Sequence, residues 1–585
     1  MQRKFHIFSL IVLGIALVAV SGCYTVQPAG NEKESTPSSV QKSEKREQAE
    51  TRPGTEERDS SEGSAEDLFP DAQTRPVPSN KNELTIVFSA SKLELDPRKS
   101  YFATEAQLFT GIYEGLFTYH PLTLEPIPGV AASYQLSDDK KTWTFTLRSD
   151  ARYINGDPVR AQDFRDAWLS LIDPAKNSPY SSLFDLIEGA QDFRSGKNTD
   201  PAAVGIEART DRTLIVHLRS PASFFPSMLC HHSFSPIHPA MLKIPDWSKQ
   251  AILSNGPFYI TEQTKDRMVL AKSREYWDAK RVALDRIIIR FSEDGDEAAS
   301  LWNSGEARWV AGDVNLEALT DRSGITVNAM FATYYFYIRS SKAPWNNRLV
   351  RRALALVLPW EEIRKGYYLP AETLIYPISG YPKPQGLSKT NREEARALLA
   401  EAGFTDTSKI PPLTIKVSQS REAQRIAQLM AQAWKEQLGL QVAVVTVPYD
   451  SYLESLKNND YEVGSSTWIG DFADPYTFLQ MWRSGSNLND AAYNDPEYEA
   501  LLERSMREEG DQRWNTLAAA EDLLLQGGTV LPIAYTPALN IIDTSEIGGW
   551  FPNALDIHPF KYLYYAALKP LPGVAMNAIH ETRKM

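Results

Sequence analysis

The sequence predicts an α/β protein built from more than one lobe. Its 585 residues are too many for a single simple core. Residues 413–417 have the pattern of a buried strand, a helix follows between the capping residue Ser420 and the stop signal Gly439, and residues 440–447 have a second strand pattern. Such a strand–helix–strand unit places its strands parallel with a right-handed crossover, which is typical of α/β folds.

The N-terminus has the pattern of a bacterial lipoprotein signal. Arg3 and Lys4 precede an apolar run over residues 5–20, which is short for a membrane-spanning helix and right for the core of a signal peptide. Small residues then lead to Cys23, as in a lipobox. We therefore expect residues 1–22 to be a signal peptide and Cys23 to carry lipid, with ordinary cleavage beside an incidental Cys as the alternative.

Residues 23–82 are predicted to form a disordered tether behind the lipid anchor. From Gln27 onward the segment is rich in Ser, Glu, Lys, Arg, Thr and Pro, and it has no aromatic residue before Phe69. It cannot bury enough apolar surface to offset the entropy of the chain. Cys230 is the other Cys of the chain, so lipid on Cys23 leaves no disulfide partner and the core alone must hold the exported protein together.

Strand and helix patterns follow one another along the folded part. The strands show either alternation of period two or a continuous apolar run. Strand patterns cover residues 84–88, 143–147, 214–218 and 287–289, and residues 392–402 form an amphipathic helix that Gly403 ends. Tyr334, Tyr335 and Tyr337 lie on a further strand, where alternate side chains face opposite sides. One face is expected to be core, and the other is available to line a cleft.

Residues 468–478 suit neither a uniform strand nor a uniform helix. They contain two carboxylates and four aromatic residues. Asp474 and Pro475 have the pattern of a helix start, because Asp accepts from free backbone N–H groups and Pro suits the first helical position. Asp471 is left without a structural role. Beside Trp468 it suits a cationic group, such as the terminal amine of a peptide, and an acid in a solvent-exposed turn is the alternative.

Composition and motifs exclude several classes of function. A net charge of −12 argues against nucleic-acid partners, which need a basic surface. The sequence has no Walker phosphate loop, dinucleotide-binding Gly pattern, Gly-x-Ser-x-Gly elbow or His-Glu-x-x-His motif, so neither an enzyme nor a cofactor is predicted. Cys230, His231 and His232, with His238 nearby, are residue types that bind transition metals. Two prolines indicate an irregular loop in which these side chains need not converge, and no metal site is predicted.

A series of short motifs occurs in a fixed order between Leu84 and Tyr564. The series includes Leu95-Asp96-Pro97, Tyr113-Glu114-Gly115-Leu116, Thr142-Trp143-Thr144-Phe145, Asn155-Gly156-Asp157-Pro158, Asn255-Gly256-Pro257-Phe258, Tyr276-Trp277-Asp278, Val350-Arg351-Arg352-Ala353-Leu354 and residues 398–404. Together with residues 468–478, this order resembles the oligopeptide-binding lipoproteins of peptide ABC importers, in family 5 of the extracellular solute-binding proteins.

The resemblance implies a two-lobed clamp of the periplasmic-binding-protein class, type II, with an extra subdomain inserted in the first lobe. Residues 83–330 and 538–570 are then expected to form the first lobe and residues 331–537 the second α/β lobe, with residues 571–585 as a C-terminal tail. The ligand would lie between the lobes. Closure would bury it and present the closed form to a membrane permease.

The resemblance also implies a function and a set of site residues. The chain would be the substrate-binding component of an ABC importer, working as a monomer with permease and ATPase subunits on the periplasmic or extracellular face of a bacterial cell envelope. Its oligopeptide ligand would be held as an added strand. The implied site consists of Asp471 for the α-amino group, the edge at Thr467, Trp468 and Ile469, the aromatic wall Tyr449, the first-lobe edge at Tyr101, Phe102 and Ala103, and Tyr180.

The sequence departs from this family pattern at a few positions. Ser465 stands where close relatives have a basic residue suited to the C-terminal carboxylate of a peptide, Tyr101 stands where some have an acid, and Arg339 replaces a common Asn. Ligand length and end recognition therefore stay open. The same scaffold also suits a nickel chelate, haem or an oligosaccharide as cargo, or a surface receptor that has lost transport.

Overall fold

The computed structural model of the protein describes residues 82–90, 93–248 and 250–566, and the Tyr449 and Asp450 side chains lie outside this part. The predicted signal peptide, the lipid on Cys23, the tether apart from Asn82 and the C-terminal tail also fall outside it. Within the described ranges, no helix has the length and apolar character needed to cross a membrane.

The strands, in chain order, are β1 (Glu83–Phe88), β2 (Phe117–Tyr119), β3 (Pro126–Pro128), β4 (Ala131–Leu136), β5 (Thr142–Leu147), β6 (Ile206–Thr210), β7 (Thr213–His217), β8 (Phe258–Gln263), β9 (Arg267–Lys272), β10 (Arg286–Phe291), β11 (Trp309–Ala311), β12 (Ile325–Ile338), β13 (Leu413–Ser418), β14 (Val442–Val447), β15 (Val463–Ile469), β16 (Val530–Ile542), β17 (Ile547–Gly548) and β18 (Tyr564–Tyr565).

The α-helices are α1 (Ala103–Ile112), α2 (Ala161–Leu171), α3 (Ala190–Arg194), α4 (Phe225–Met228), α5 (Pro239–Leu242), α6 (Gly295–Asn303), α7 (Arg348–Ala355), α8 (Trp360–Arg364), α9 (Arg392–Glu401), α10 (Arg421–Leu438), α11 (Tyr449–Leu456), α12 (Tyr476–Leu479), α13 (Pro496–Ser505) and α14 (Gly510–Gln526). Short 3₁₀ helices include Ser181–Leu186, His232–Phe234 and Gln480–Trp482.

One long sheet runs through both lobes. Among the described residues it has ten strands in the order β14-β13-β15-β12-β16-β11-β1-β10-β9-β8. The 14-residue β12 and the 13-residue β16 pair antiparallel in its centre. The first-lobe strand β11 pairs with β16, and the second-lobe strand β15 pairs with β12. These two long strands therefore connect the lobes.

The β12–β16 register is broken where the chain passes between the lobes. The pairing skips from Ala329–Pro537 to Thr333–Tyr535. Between these pairs the Phe331 N–H donates to the Ala554 carbonyl at 2.6 Å instead of to β16. The predicted lobe boundaries at residues 330/331 and 537/538 lie at this break, and the boundaries themselves stay a prediction.

A separate four-stranded antiparallel sheet, ordered β4-β5-β7-β6, is inserted in the chain between β1 and β10, which pair directly in the long sheet. Its Trp143 and Phe145 rings stack with centroids 6.1 Å apart, and both side chains are buried. Helix α2 packs against β6 and β7. The inserted sheet thus has buried aromatic side chains and a helix packed against it within the first lobe.

The predicted strand–helix–strand unit is confirmed in the second lobe. β13 and β14 pair in parallel, and α10 connects them. The Ser420 side chain accepts the Ala423 N–H at the helix start, and Gly439 ends the helix with φ 73°. The buried face includes the apolar positions predicted from helical spacing, Ile426, Met430, Trp434 and Leu438.

Candidate ligand-binding site

Residues 468–478 connect the end of β15 to the start of α12. The Asp474 carboxylate accepts the Tyr476 N–H at 2.9 Å, as a residue at a helix start does, and α12 begins at Tyr476, one residue after the predicted first position Pro475. Arg513 holds the same carboxylate with two hydrogen bonds of 2.7 Å. The charge of Asp474 is therefore matched within the second lobe, and Asp474 serves the structure of this connection.

Asp471 is in a different position. Its side chain is only 7% exposed, so the alternative of an acid in a solvent-exposed turn is wrong. The carboxylate accepts the Thr477 hydroxyl at 3.2 Å, and among the described residues no Lys, Arg or His forms an ion pair with it. Burial raises its pKa to about 8, and the Thr477 hydrogen bond offsets this only in part. A buried carboxyl without a counter-charge favours a ligand that brings a cation.

Both lobes contribute aromatic residues around Asp471. Trp468, on β15, is buried, and its indole N–H has no hydrogen-bond partner within the described part of the chain. From the first lobe, the Tyr119 hydroxyl donates to the Asp471 carbonyl at 3.3 Å. Phe224 stacks on Phe472 with centroids 5.7 Å apart and planes 8° from parallel. Asp471 is thus enclosed by apolar and aromatic surface from two sides.

The backbone of β15 has one open edge beside Asp471. One edge pairs with β12 over the whole strand, from Val463 to Ile469. The other edge meets β13 at Ile415–Val463, and in the described ranges no strand neighbours it beyond that pair. Thr467, on this part of the strand, is exposed. Its neighbourhood, which includes the predicted Trp468 and Ile469, is suited to receive an extended chain.

The predicted first-lobe edge at residues 101–103 is not an open strand edge but the start of helix α1. Tyr101 and Phe102 precede α1, which begins at Ala103, and their N–H groups both donate to the Glu105 carboxylate at 2.9 and 3.1 Å. These donors are used to cap the helix and are not free for a ligand. The side chains of these two residues are better placed than their N–H groups to contact a ligand. The Tyr101 ring stacks on Tyr180 with centroids 6.0 Å apart, and Phe102 is 55% exposed.

Two histidines support this aromatic pair from within the first lobe. Tyr180 packs edge-on against His231 at 4.7 Å, and the His232 Nε2 is 2.7 Å from the Ser100 hydroxyl. Burial lowers the pKa of His231 to about 3, so the ring is neutral. His238 instead pairs with Asp157 at 2.9 Å. Within the described ranges, no group of three or more His, Cys, Asp or Glu side chains is arranged to hold a metal ion.

The strand β12 carries the predicted tyrosine run. Tyr335 and Tyr337 pack against Trp482 with centroids 5.6 and 6.4 Å apart, and the Tyr337 hydroxyl is 2.8 Å from the Tyr461 hydroxyl. All four side chains are buried. Tyr334 lies on the opposite face and packs against Phe336. Both faces of the strand are therefore largely core. The predicted core face is present, whereas the opposite face is not an open cleft surface.

Sequence reasoning missed several residues that the fold brings to this site. Tyr119 comes from a short strand and Phe224 from a loop, and neither carries a motif of its own. Their position depends on how the lobes meet, which local sequence does not encode. Ser465, where relatives have a basic residue, is buried, and its backbone N–H and carbonyl are both hydrogen-bonded to the Tyr452 hydroxyl, at 3.0 and 2.9 Å.

Direct contacts hold the two lobes together beside the cleft. The Asn487 amide donates to the Pro179 carbonyl at 2.7 Å and accepts the Ser182 N–H at 3.2 Å. Arg219 pairs with Glu503 at 2.7 Å. These contacts join residues separated by about three hundred positions in the chain, so the structure has the lobes in a closed arrangement.

The comparisons with known proteins agree with this architecture. The model of the family described as bacterial extracellular solute-binding proteins, family 5 Middle, matches residues 125–490. The dipeptide-binding protein DppE of Bacillus subtilis is 29% identical over 78% of this chain and 86% of its own length. The periplasmic oligopeptide-binding protein OppA of Salmonella typhimurium is 30% identical over 75% of this chain and 84% of its own.

Solved structures show the same two-lobed fold. The murein tripeptide-binding protein MppA of Escherichia coli matches with a TM-score of 0.72 and 26% identity, covering 83% of this chain and 99% of MppA. Its unliganded open form gives a TM-score of 0.62, in keeping with the direct contacts between the lobes here. The chain belongs to family 5 of the bacterial extracellular solute-binding proteins.

Proposed function

We propose that this chain is the substrate-binding component of an ABC importer and that it captures oligopeptides between its lobes. The observation that carries the proposal is Asp471, a buried carboxylate without a cationic partner among the described residues, beside an open strand edge. The names of the relatives, which bind dipeptides, oligopeptides and a murein tripeptide, support the same class of ligand.

In the proposed complex the α-amino group of the peptide pairs with Asp471. The peptide backbone extends along Thr467–Ile469 as an added strand, and its side chains lie against Trp468 and the rings of Tyr101 and Tyr180. A bound ammonium group offsets the cost of burying the Asp471 charge, and this gain exists only when the lobes close around it. The ligand therefore favours the closed form, which is the form presented to the permease.

The proposal extends to how the protein is held in the cell envelope. Lipid on Cys23 would anchor a monomer to the membrane through the tether. Labelling cells with a fatty acid analogue should modify the protein and leave a Cys23→Ser variant unlabelled, whereas label on both would contradict anchoring at Cys23. A nickel chelate, haem, oligosaccharide or transport-independent receptor role has no specific observation in its favour.

Isothermal titration with alanine tripeptides to pentapeptides tests the function, using each peptide with a free and with an acetylated N-terminus. Free peptides should bind, and acetylation should weaken binding about tenfold or more, because it removes the charge that Asp471 requires. Binding that is insensitive to acetylation would refute the amine role of Asp471. If no peptide of any length binds, the peptide proposal itself is wrong.

A further inference from the structure

A second cavity lies within the second lobe and shares no residue with the candidate ligand-binding site. It has a volume of about 390 Å³ and lies between the start of α7, helix α9, the end of α14 and the loop before α13. Its walls carry both cationic and apolar side chains, which are Arg348, Arg351, Arg352, Leu349, Leu398 and Leu523. The cavity thus combines positive charge with apolar surface.

The three arginines of this cavity come from one face of α7. Residues spaced three and four apart are neighbours on a helix, and Arg348 is followed at these spacings by Arg351 and Arg352. The first turn of α7 contains no acidic residue. Because the N-terminal end of a helix already carries partial positive charge, a cation there is unfavourable unless an anion is near. Helix α7 therefore concentrates positive charge at the cavity.

Arg351 is a buried cation without a carboxylate partner, and it is only 3% exposed. Its Nε donates to the Gly527 carbonyl at 3.2 Å, and one terminal nitrogen donates to the Trp345 carbonyl at 2.7 Å. The other terminal nitrogen has no acceptor among the described residues, and no carboxylate there lies within ion-pair distance. Burial lowers the pKa of Arg351 to about 10, so the group is still charged at neutral pH. A buried cation held only by neutral carbonyls favours a ligand that brings negative charge.

The other two arginines also lack a close carboxylate. Arg352 donates to the side-chain and backbone carbonyls of Gln526, the latter at 3.3 Å. Its ion-pair contact is with Glu394 at 4.0 Å, which is longer than a hydrogen bond. Arg348 is exposed and forms no ion pair with the part of the chain that the structure describes. Both arginines are therefore able to donate to a bound anion.

The acids of the cavity do not neutralise it. Asp495 accepts the N–H groups of Glu497 and Tyr498 at 2.9 and 3.4 Å as the cap of α13, and it also accepts the Tyr493 hydroxyl at 3.3 Å. Glu394 is the other acid of the lining. Three arginines face these two acids, so the lining keeps an excess of positive charge.

We propose that this cavity binds a small organic anion whose phosphate or carboxylate group is held by Arg348 and Arg351. The apolar part of the anion lies against the three leucines of the lining. Guanidinium groups suit this role because two of their N–H donors match two oxygens of an oxyanion. The carbonyl contacts hold Arg351 in place before the ligand arrives, which lowers the entropy lost on binding. The site does not depend on the proposed peptide-binding function.

Titration calorimetry and thermal unfolding at constant ionic strength test the site with three probes of similar size. Phenyl phosphate and phenylacetate carry the proposed groups beside a ring, and benzyl alcohol is neutral. At concentrations up to about 10 mM, at least one anion should bind at a single site and raise the unfolding temperature. The anion that binds more tightly identifies the preferred group. Absence of binding by both anions, or equal binding of benzyl alcohol, would overturn the inference.

Arg348→Gln is the diagnostic variant, because Arg348 is exposed and its replacement should leave the fold intact. It should weaken anion binding about tenfold, as expected for the loss of a hydrogen bond between charged groups. Arg507→Gln is the matched control, since it removes one positive charge from an exposed position between α13 and α14 and should leave anion binding unchanged. An unchanged affinity in Arg348→Gln, or an equal loss in Arg507→Gln, would contradict the site. Displacement of the anion by a saturating alanine peptide would place it in the cleft between the lobes and would also overturn the inference.

Discussion

Replacing Asp471 with Asn should weaken peptide binding. It should also remove the free-energy cost of burying a charged carboxylate in the unliganded protein. The carboxylate is buried beside aromatic rings, and burial raises its pKa from 3.8 to about 8. At about 1.4 kcal/mol per pKa unit, the charged form is disfavoured by roughly 6 kcal/mol. Asn has nearly the same shape and carries no charge, so Asp471→Asn removes this cost together with the attraction for the amine.

The binding loss follows from a charge-assisted hydrogen bond, which contributes about 1.5 to 3 kcal/mol. Titration calorimetry with an alanine peptide near pH 8 should therefore show about a 10- to 100-fold weaker affinity. In the unmodified protein, affinity should peak near pH 8. Below that value Asp471 must lose a proton to pair with the amine, and above it the α-amino group, with a pKa of about 8, loses its own.

Stability should change in the opposite direction. The unfolded chain releases the Asp471 proton near pH 4, whereas the folded protein holds it until about pH 8. The folded state therefore binds more protons between these values, and the contribution of Asp471 to the free energy of unfolding falls as pH rises through this window. Denaturation of Asp471→Asn should lack this loss and show equal or higher stability at pH 9. An unchanged peptide affinity, or a marked loss of stability at pH 9, would refute the reasoning.

Three further predictions concern closure and packing. Asn487→Ala removes a side-chain amide that joins the lobes. It should weaken peptide binding severalfold, and small-angle scattering should show a more open unliganded protein. Unchanged scattering and affinity would contradict the role of Asn487 in closure. Trp434→Ala empties a fully buried position of α10 and should cost about 3 to 5 kcal/mol in urea unfolding, against less than about 0.5 kcal/mol for the exposed neighbour Lys435→Ala. Gly439→Ala forces an L side chain into a φ of 73° and should cost about 1 kcal/mol in the same assay, and no loss would show that the helix end adjusts freely.

Local patterns account for much of the fold. The unit from β13 through α10 to β14 could be predicted because helical periodicity, a Ser cap and a Gly stop act within a few residues of one another. The capping role of Asp474 could be predicted for the same reason. By contrast, the pairing of β12 with β16 joins segments about two hundred residues apart and left no local pattern from which its register could be derived.

The candidate site was also predicted in part from the sequence, and the rest of it required the tertiary structure. Asp471 could be selected from the sequence because its neighbour Asp474 explained the helix start and left one acid without a role. Residue type and spacing by themselves predicted the α/β class and made Asp471 a candidate, with an exposed turn acid as the alternative, and it was mainly the family resemblance that favoured Asp471 as the site residue. Only the tertiary structure decided that Asp471 is buried and that the N–H groups of Tyr101 and Phe102 are used by Glu105. Burial and ion pairing depend on which distant segments meet, and for this protein they depend on how the two lobes close.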